Sequence, residues 1–268
     1  LLGANCVVPA GDFGVGGRVI GFVFGMYKKL QNEFTGVLTG KGLAYGGSLI
    51  RPEATGYGLV YFAREMLATQ GKSLEGATVS ISGSGNVAQF ACEKVLDLGG
   101  IPVTMSDSSG WIHDPAGIDR EKLVWIMDLK NNRRGRIKEY ASHFDGVTYS
   151  PSKPEPALNG LWGVNVDVAL PCATQNEVNG QEAQMLVDNK VIAVAEGANM
   201  PCTTDAQKQF FDAKITYVPG KASNAGGVAL SGLEMGQNAM FNQRDASALD
   251  EQLCSIMNSI HERCVIEG

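Results

Sequence analysis

The chain has 268 residues, of which 44% are hydrophobic and 19% charged, a balance typical of one or two globular domains with a buried core. Twenty-two basic against 28 acidic residues give a net charge of −6, which argues against general nucleic-acid binding. The sequence has no apolar run of membrane-spanning length and no signal-peptide pattern, so we expect no membrane partner. Six cysteines without a CxxC pair are typical of reduced thiols and predict a cytoplasmic location.

Strands and helices are predicted to alternate along most of the sequence. The predicted strands are Ala77–Ser82, Ile101–Ser106, Asp167–Leu170, Val191–Ala195 and Ile215–Val218. The predicted helices are Arg18–Leu30, Glu53–Thr69, Asn86–Leu98, Arg120–Tyr140, Gly180–Asp188, Thr204–Ala213, Ala225–Gln243 and Ser247–Val265. An exposed loop is predicted over Ser150–Gly160. This rhythm predicts an α/β fold with a mostly parallel sheet and flanking helical segments.

A glycine-rich turn joins the first predicted strand to the next helix, in the segment Ser80–Gln89. Gly83, Gly85 and Ala88 form the G-x-G-x-x-A pattern of a dinucleotide-binding fold. The first glycine allows the tight turn, the second lets the backbone approach a pyrophosphate, and the alanine permits close helix packing. The pattern favours a Rossmann-like domain, with an ordinary tight βα turn as the alternative.

The second predicted strand ends in polar residues. Asp107 follows Gly85 by 22 residues, at the spacing where an acid bonds the adenosine 2′-hydroxyl of NAD. The neighbouring Ser106, Ser108 and Ser109 are equally suited to a 2′-phosphate, so the residues alone leave NAD and NADP open. A plain Asp/Ser turn is the third interpretation.

Asp12 is the only carboxylate inside the glycine-rich segment Val8–Arg18. Flanking glycines allow a ligand to approach closely, and the acid is then a candidate proton shuttle. The alternative is a helix N-cap, because a helix is predicted to begin a few residues later.

A glycine-containing helix start and two asparagines after strands are further candidates for ligand contact. The glycines of Arg51–Gly58 lie at a helix start and indicate close packing against a flat surface. Asn199 and Asn224 follow strand-like segments, at the edge where α/β folds bind ligands, with an ordinary turn asparagine as the alternative for each. The three histidines show no metal-ligand or triad spacing, so no metal site is expected. The basic run Asn131–Arg136 is interpreted as a solvated turn with modest anion attraction.

Together the segments VPAGDFGVGGR, FTGVLTGKGLAYGGSLIRPEATGYG, VSISGSGNVAQ, ALPCATQNE, AVAEGANMP and PGKASNAGGVALSGLEM resemble the hexameric glutamate dehydrogenases, within the Glu/Leu/Phe/Val dehydrogenase superfamily. The resemblance implies reversible oxidation of L-glutamate to 2-oxoglutarate and ammonium with NAD(P), by a homo-hexamer, in a cleft between a substrate domain and a dinucleotide domain. The segment SDSSG resembles the NADP-using branch, so NADP is expected and NAD remains possible.

The resemblance also implies roles for individual residues. Asp12 matches the acid that handles protons, while Gly11, Val228 and Ser231 match substrate contacts. The positions that match coenzyme contacts are Arg51, Thr55, Gly83, Ser84, Gly85, Asn86, Val87, Ser106, Asp107, Ser108, Ala173, Thr174, Asn199 and Asn224. The hydroxyl of Ser231 suits a substrate carboxylate and argues against a leucine- or phenylalanine-type dehydrogenase.

Three departures from the family shape the domain prediction. Val7 and Val19 replace acids, and the family's substrate-binding and catalytic lysine motifs do not occur. We therefore expect a fragment that is inactive alone: residues 1–47 from the substrate domain and hinge, 48–224 as the dinucleotide-binding domain, and 225–268 returning towards the substrate domain. The alternative is a dinucleotide-binding or regulatory module without catalysis.

Overall fold

A computed structural model describes residues 1–12, 14–152 and 158–267. The chain divides into two compact units, each with its own packing. The first unit comprises Leu1–Ala54 and Gly226–Ile256, and the second comprises Thr55–Ala225 and Met257–Gly268. The assignment of the first unit's residues to a substrate domain stays a prediction.

A sheet forms the centre of the second unit. In the described residues its seven strands are β1 (Thr78–Ile81), β2 (Ile101–Asp107), β3 (Gly110–His113), β4 (Thr148–Pro151), β5 (Val168–Leu170), β6 (Ala193–Ala195) and β7 (Thr216–Val218). Their order is β4-β3-β2-β1-β5-β6-β7. Strands β2, β1, β5, β6 and β7 are parallel, and β3 and β4 pair antiparallel at one edge. The predicted mostly parallel α/β fold is confirmed.

Helices connect these strands and build the first unit. They are α1 (Gly17–Gln31), α2 (Ala54–Ala68), α3 (Asn86–Asp97), α4 (Arg120–Asn131), α5 (Lys138–His143), α6 (Gly180–Asp188), α7 (Thr204–Asp212), α8 (Gly220–Ser223), α9 (Gly226–Met240) and α10 (Ala246–Glu267). The single helix predicted over Arg120–Tyr140 is wrong. The chain leaves α4 after Asn131, Arg134 takes a left-handed conformation with φ 55°, and Gly135 N bonds back to Leu129 O, which ends the helix.

The antiparallel edge was not predicted. Strands β3 and β4 are only four residues each, and burial does not alternate along β4, so a period-two pattern is too short or absent to mark them. Ser150 and Pro151 complete β4 and are not part of a loop. The rest of the loop predicted over Ser150–Gly160 lies in part outside the described residues.

Burial explains why the parallel strands read as continuous apolar runs. Every residue of β5 and β6 is buried, and the core beside them includes Trp162, Leu186 and Phe210. The first unit has a smaller core built on Ile20, Phe24, Val37 and Leu38. In the part of the chain described, no helix combines the length and apolar character needed to cross a membrane.

Candidate functional site

The Gly83–Gly85 turn lies at the carboxyl end of β1, beside β5, where the strand order changes direction. Gly83 has φ +82°, and a Cβ there would stand 3.0 Å from Cys172 O, so a side chain would push the two loops apart. Gly85 is the N-cap of α3, and a Cβ placed on it meets no atom within 4 Å. This open space in front of a helix N-terminus fits a dinucleotide pyrophosphate. Ala88 is fully buried, as close helix packing requires.

Of the other predicted coenzyme contacts at or near this turn, two are buried and two are partly or fully exposed. Ser84 is buried, and its carbonyl accepts a bond of 2.8 Å from Gln89 Nε2. Asn86 is exposed and Val87 half-buried in the first turn of α3. The Ser106 hydroxyl accepts a 2.7 Å bond from Gly83 N and thereby ties the end of β2 to the turn.

Asp107 lies at the end of β2 and is already fully engaged. Its Oδ1 accepts bonds from Ser109 N (2.8 Å) and Ser109 Oγ (2.6 Å), and its Oδ2 accepts from Lys130 Nζ and Ile137 N (both 2.8 Å). Burial would raise the pKa of the Asp107 carboxyl, but these hydrogen bonds overcome it and lower the pKa to about 2. The carboxylate is therefore occupied by protein groups and matched by a lysine.

Positive charge gathers around Ser108. Arg136 Nη1 donates to Ser108 Oγ over 2.7 Å, and Lys130 reaches Asp107 from α4. The interpretation of Asn131–Arg136 as a solvated turn is therefore incomplete, because the break between α4 and α5 carries Arg136 back to the end of β2. The charge of Lys130 is matched by Asp107, so it is Arg136 that makes this edge suit a phosphate better than a hydroxyl.

Across the change in strand order, the loop after β5 carries Ala173 and Thr174. Glu177 Oε1 accepts bonds from both of their backbone N–H groups, at 2.9 and 3.3 Å. Ser82 Oγ also bonds to the Glu177 carboxylate and accepts from Cys172 N at 2.8 Å. Burial, opposed by these hydrogen bonds, raises the pKa of Glu177 to about 7.

The two predicted asparagines lie side by side. Asn224 Nδ2 donates to Asn199 Oδ1 over 2.8 Å, which places the loops after β6 and β7 in contact. Buried Glu196 holds this arrangement by accepting from Gly220 N (2.7 Å) and Tyr217 Oη (2.7 Å). Sequence reasoning assigned no role to Glu196, although it lies three residues before Asn199 in the same segment AVAEGANMP.

Thr55 lies in the first turn of α2. A Cβ on the next residue, Gly56, would stand 2.5 Å from Ala91 N, which shows that the backbones of α2 and α3 nearly touch. The close packing expected from these glycines is therefore present, and its partner is another helix.

In the first unit, Gly11 and Asp12 lie on an irregular segment before α1. The N-cap of α1 is Gly16, without a side-chain capping bond, so the interpretation of Asp12 as a helix cap is wrong. Asp12 is exposed, and a Cβ on Gly11 would stand 2.7 Å from Val15 O. Thr39 N bonds to Pro9 O at 2.9 Å, which joins this segment to the next glycine-rich loop.

Ser231 is the centre of a polar cluster in the first unit. Its Oγ accepts from Thr39 Oγ1 at 2.9 Å and from Arg51 Nε at 3.0 Å, and the residue is 7% exposed. The Ser231 proton is thus left for a further acceptor. Arg51, matched above to a coenzyme contact, lies with the substrate-matched serine in this unit. Val228, three residues earlier on α9, is 76% exposed.

A buried ion pair supports this cluster. Lys41 Nζ lies 2.8 Å from Glu234 Oε1, and both side chains are 0% exposed. Glu234 also accepts from Gly40 N at 2.8 Å, which fixes the loop next to Thr39. Burial lowers the pKa of Arg51, and the charge of Glu234 opposes that effect. Lys41 and Arg51 against one carboxylate give a net charge of +1 beside Ser231.

Sequence reasoning missed Thr39, Lys41 and Glu234. Glu234 follows Ser231 by three residues on one helix, a spacing that places both on the same face, and this was the available signal. Within residues 1–12, 14–152 and 158–267, no group of three or more His, Cys, Asp or Glu side chains could hold a metal ion.

The parallel sheet, the open turn at Gly85 and the polar loops at one sheet edge are typical of dinucleotide-binding α/β domains. The family description Glutamate/Leucine/Phenylalanine/Valine dehydrogenase matches residues 46–268, and the chain belongs to this family. A protein named glutamate dehydrogenase from Bacteroides thetaiotaomicron is 59% identical over 267 residues, covering 100% of this chain and 59% of the relative. A solved glutamate dehydrogenase of Plasmodium falciparum superimposes with a TM-score of 0.91 at 48% identity, over 97% of this chain and 54% of that one.

The chain therefore spans about three-fifths of the length of the curated relatives that it matches. Relatives 52–54% identical include a Haemophilus influenzae protein named NADP-specific glutamate dehydrogenase and a Bacteroides fragilis protein named NAD-specific glutamate dehydrogenase. Overall sequence identity therefore does not distinguish NADP from NAD. The residues at the end of β2 must be used to distinguish the two coenzymes.

Proposed function

We propose that the whole protein containing this chain is an NADP-dependent glutamate dehydrogenase, which converts L-glutamate reversibly to 2-oxoglutarate and ammonium. The observation that carries the proposal is the Ser231 cluster. A hydroxyl with a free proton, held by Thr39 and by the half-buried Arg51 beside the neutral Lys41–Glu234 pair, is suited to a carboxylate and unsuited to an apolar side chain. Glutamate has a side-chain carboxylate, whereas leucine, phenylalanine and valine do not.

The residues of the second unit support NADP as the coenzyme. Both oxygens of Asp107 are taken by protein donors, so this acid is not free to bond the 2′-hydroxyl of NAD. Arg136 and Ser108 lie next to it with donors suited to a 2′-phosphate. NAD remains the alternative, as the name of one relative shows for that relative.

Each residue then has a defined task. NADP, when bound, supplies the nicotinamide ring that takes up a hydride. Gly83 and Gly85 leave room for the pyrophosphate, and the loops that carry Ala173, Asn199 and Asn224 receive the nicotinamide half. Ser231 holds the substrate's side-chain carboxylate, and Asp12 moves protons at the substrate's amino nitrogen.

Assembly and location are also proposals. Exposed apolar side chains follow one face of α1, at Val19, Phe22, Met26 and Leu30, which favours a homo-oligomer, and the family resemblance makes this a hexamer. The six cysteines are free, which supports a cytoplasmic location. We expect the 268-residue chain alone to bind coenzyme without turnover, because the substrate-binding and catalytic lysine motifs of the family do not occur in its sequence.

Steady-state kinetics of the whole protein test the proposal. L-glutamate with NADP should yield NADPH, and L-leucine or L-phenylalanine should not. Asp12→Asn should lower kcat by about 10²–10⁴-fold, the usual loss for an acid–base group, while both ligands still bind. Turnover of leucine in place of glutamate, or a normal kcat for Asp12→Asn, would contradict it.

A further inference from the structure

Ser82, the first residue after β1, bonds to Cys172, the second residue after the neighbouring strand β5, and one carboxylate joins the two loops. Ser82 N bonds to Leu170 O at 3.3 Å, and Cys172 N bonds to Ser82 Oγ at 2.8 Å. Glu177 then accepts from Ser82 and from the N–H groups of Ala173 and Thr174. We call these hydrogen bonds around the Glu177 carboxylate the brace. Of the residues in the brace, only Ala173 and Thr174 were matched above to coenzyme contacts.

We propose that Glu177 is a positioning residue for the coenzyme: its carboxylate holds the Ala173–Thr174 turn against the Gly83 loop in the shape that receives NADP(H). This inference rests on the proposed function. A charged carboxylate accepts all three bonds, whereas in a protonated one the oxygen that carries the proton becomes a donor and the other is a neutral, weaker acceptor. The turn is therefore held firmly only while Glu177 is charged.

The surroundings of Glu177 place its titration near neutral pH. Burial raises its pKa to about 7, the three hydrogen bonds oppose this, and the negative charge of Glu182 on α6 raises it further. The other titratable groups that act on it are the buried thiols of Cys172 and Cys202, whose pKa values burial raises, so both stay neutral in this range. Coenzyme affinity should therefore fall as the pH drops through about 7.

Binding of NADPH to the 268-residue chain, followed by fluorescence between pH 6 and pH 9, tests the inference. At pH 8.5 we expect Glu177→Gln to raise the Kd about tenfold, because an amide cannot replace the charged acceptor. At pH 6 the variant and the parent chain should differ by less than about twofold. Comparison of variants at each pH cancels the titration of the coenzyme's own phosphate, whose second pKa is near 6.

Two further variants separate positioning from plain structural damage. Glu182→Gln removes the neighbouring charge and should move the midpoint of the pH dependence to lower pH without abolishing it. Ser82→Ala should weaken binding of NADPH and NADH by the same factor, because the brace does not approach the 2′ position. If Glu177→Gln does not fold, the midpoint shift in Glu182→Gln decides the question.

Other outcomes would overturn the inference. An unchanged Kd in Glu177→Gln, an equal loss at every pH, or an unmoved midpoint in Glu182→Gln would show that Glu177 has only a structural role. If the parent chain binds NADPH but the variants show none of the expected pH-dependent changes in Kd, this inference fails and the proposed function stands. A parent chain that binds no NADPH at any pH overturns the proposed function and this inference together.

Discussion

Lys130 Nζ lies 2.8 Å from Asp107 Oδ2, so the one acid at the end of β2 is paired with a cation from α4. Spacing along the sequence suggests that Asp107 binds a ribose hydroxyl, but the ion pair turns it into a support for the surrounding loop. The same contact brings the α4–α5 break, with Arg136, to the edge of the sheet. The coenzyme preference proposed above thus rests on residues more than 20 positions apart.

Removal of the Arg136 guanidinium should weaken NADPH binding selectively. We expect Arg136→Ala to raise the NADPH Kd about tenfold, the loss of one charge-assisted bond at an exposed site, with NADH affinity changed less than twofold. Arg134→Ala is the matched control, since Arg134 is exposed in the same basic run. Fluorescence titration of both coenzymes measures this. Equal weakening of NADPH and NADH would remove Arg136 from the 2′-phosphate site.

The depressed pKa of Asp107 makes stability depend on pH in a defined window. The folded-state pKa of about 2 lies below the usual value of 3.8, so its stabilisation is fully present above pH 4 and is lost as the pH falls towards 2. After allowance for screening by solvent at this partly buried site, the difference corresponds to about 1–2 kcal/mol. Urea unfolding at pH 6 should show Asp107→Asn less stable by roughly that amount, with the gap closing below pH 4. The exposed Asp212→Asn serves as the control, and a gap constant with pH would refute the assignment.

Much of the fold was predictable because the local signals are strong. The buried strands and the G-x-G-x-x-A turn each carry a pattern within about ten residues, and the structure places both as expected. The α4–α5 break was missed although Asn131, Asn132 and Gly135 are typical helix-ending residues, because the helix prediction was continued through a run that was itself interpreted as a turn. The short β3–β4 edge was missed because its pairing depends on contacts between segments, not on its own pattern.

The site was predictable only in part, for the same physical reason. Residues in glycine-rich turns, such as Gly83 and Asn224, are marked by their own neighbours. The partners that fix them are not: Glu234 meets Lys41 across 193 positions, and no local pattern reports a contact of that separation. Asp12 shows the opposite case, where a local signal for a helix cap failed because Gly16 occupies the N-cap.

The Lys41–Glu234 pair should be costly to break on one side only. Glu234→Leu leaves a buried lysine charge and an unpaired Gly40 N–H, and should destabilise the first unit by about 3–5 kcal/mol. The double variant Lys41→Met/Glu234→Leu removes both charges and should be clearly less destabilised than the single one. Denaturant unfolding of the two variants and their parent provides the comparison. A double variant at least as destabilised as Glu234→Leu would contradict the coupling of the two charges.

Ser231 should matter for substrate and not for coenzyme. In the whole protein, Ser231→Ala removes one charge-assisted hydrogen bond of about 1.5–3 kcal/mol and should raise the glutamate KM by roughly 10- to 150-fold. The NADPH Kd of the same variant is the internal control and should be nearly unchanged. A similar loss for both ligands would instead give Ser231 a purely structural role.

The most direct test is a calorimetric titration of the 268-residue chain with NADPH and with NADH, at pH 8 and constant ionic strength. The open Gly85 turn predicts that both coenzymes bind, and the Asp107–Lys130 pair with Arg136 predicts that NADPH binds more tightly. Absence of binding would contradict the dinucleotide site itself. Tighter binding of NADH than of NADPH would contradict the proposed coenzyme. It would mean that Asp107 bonds a ribose hydroxyl in spite of its pairing with Lys130.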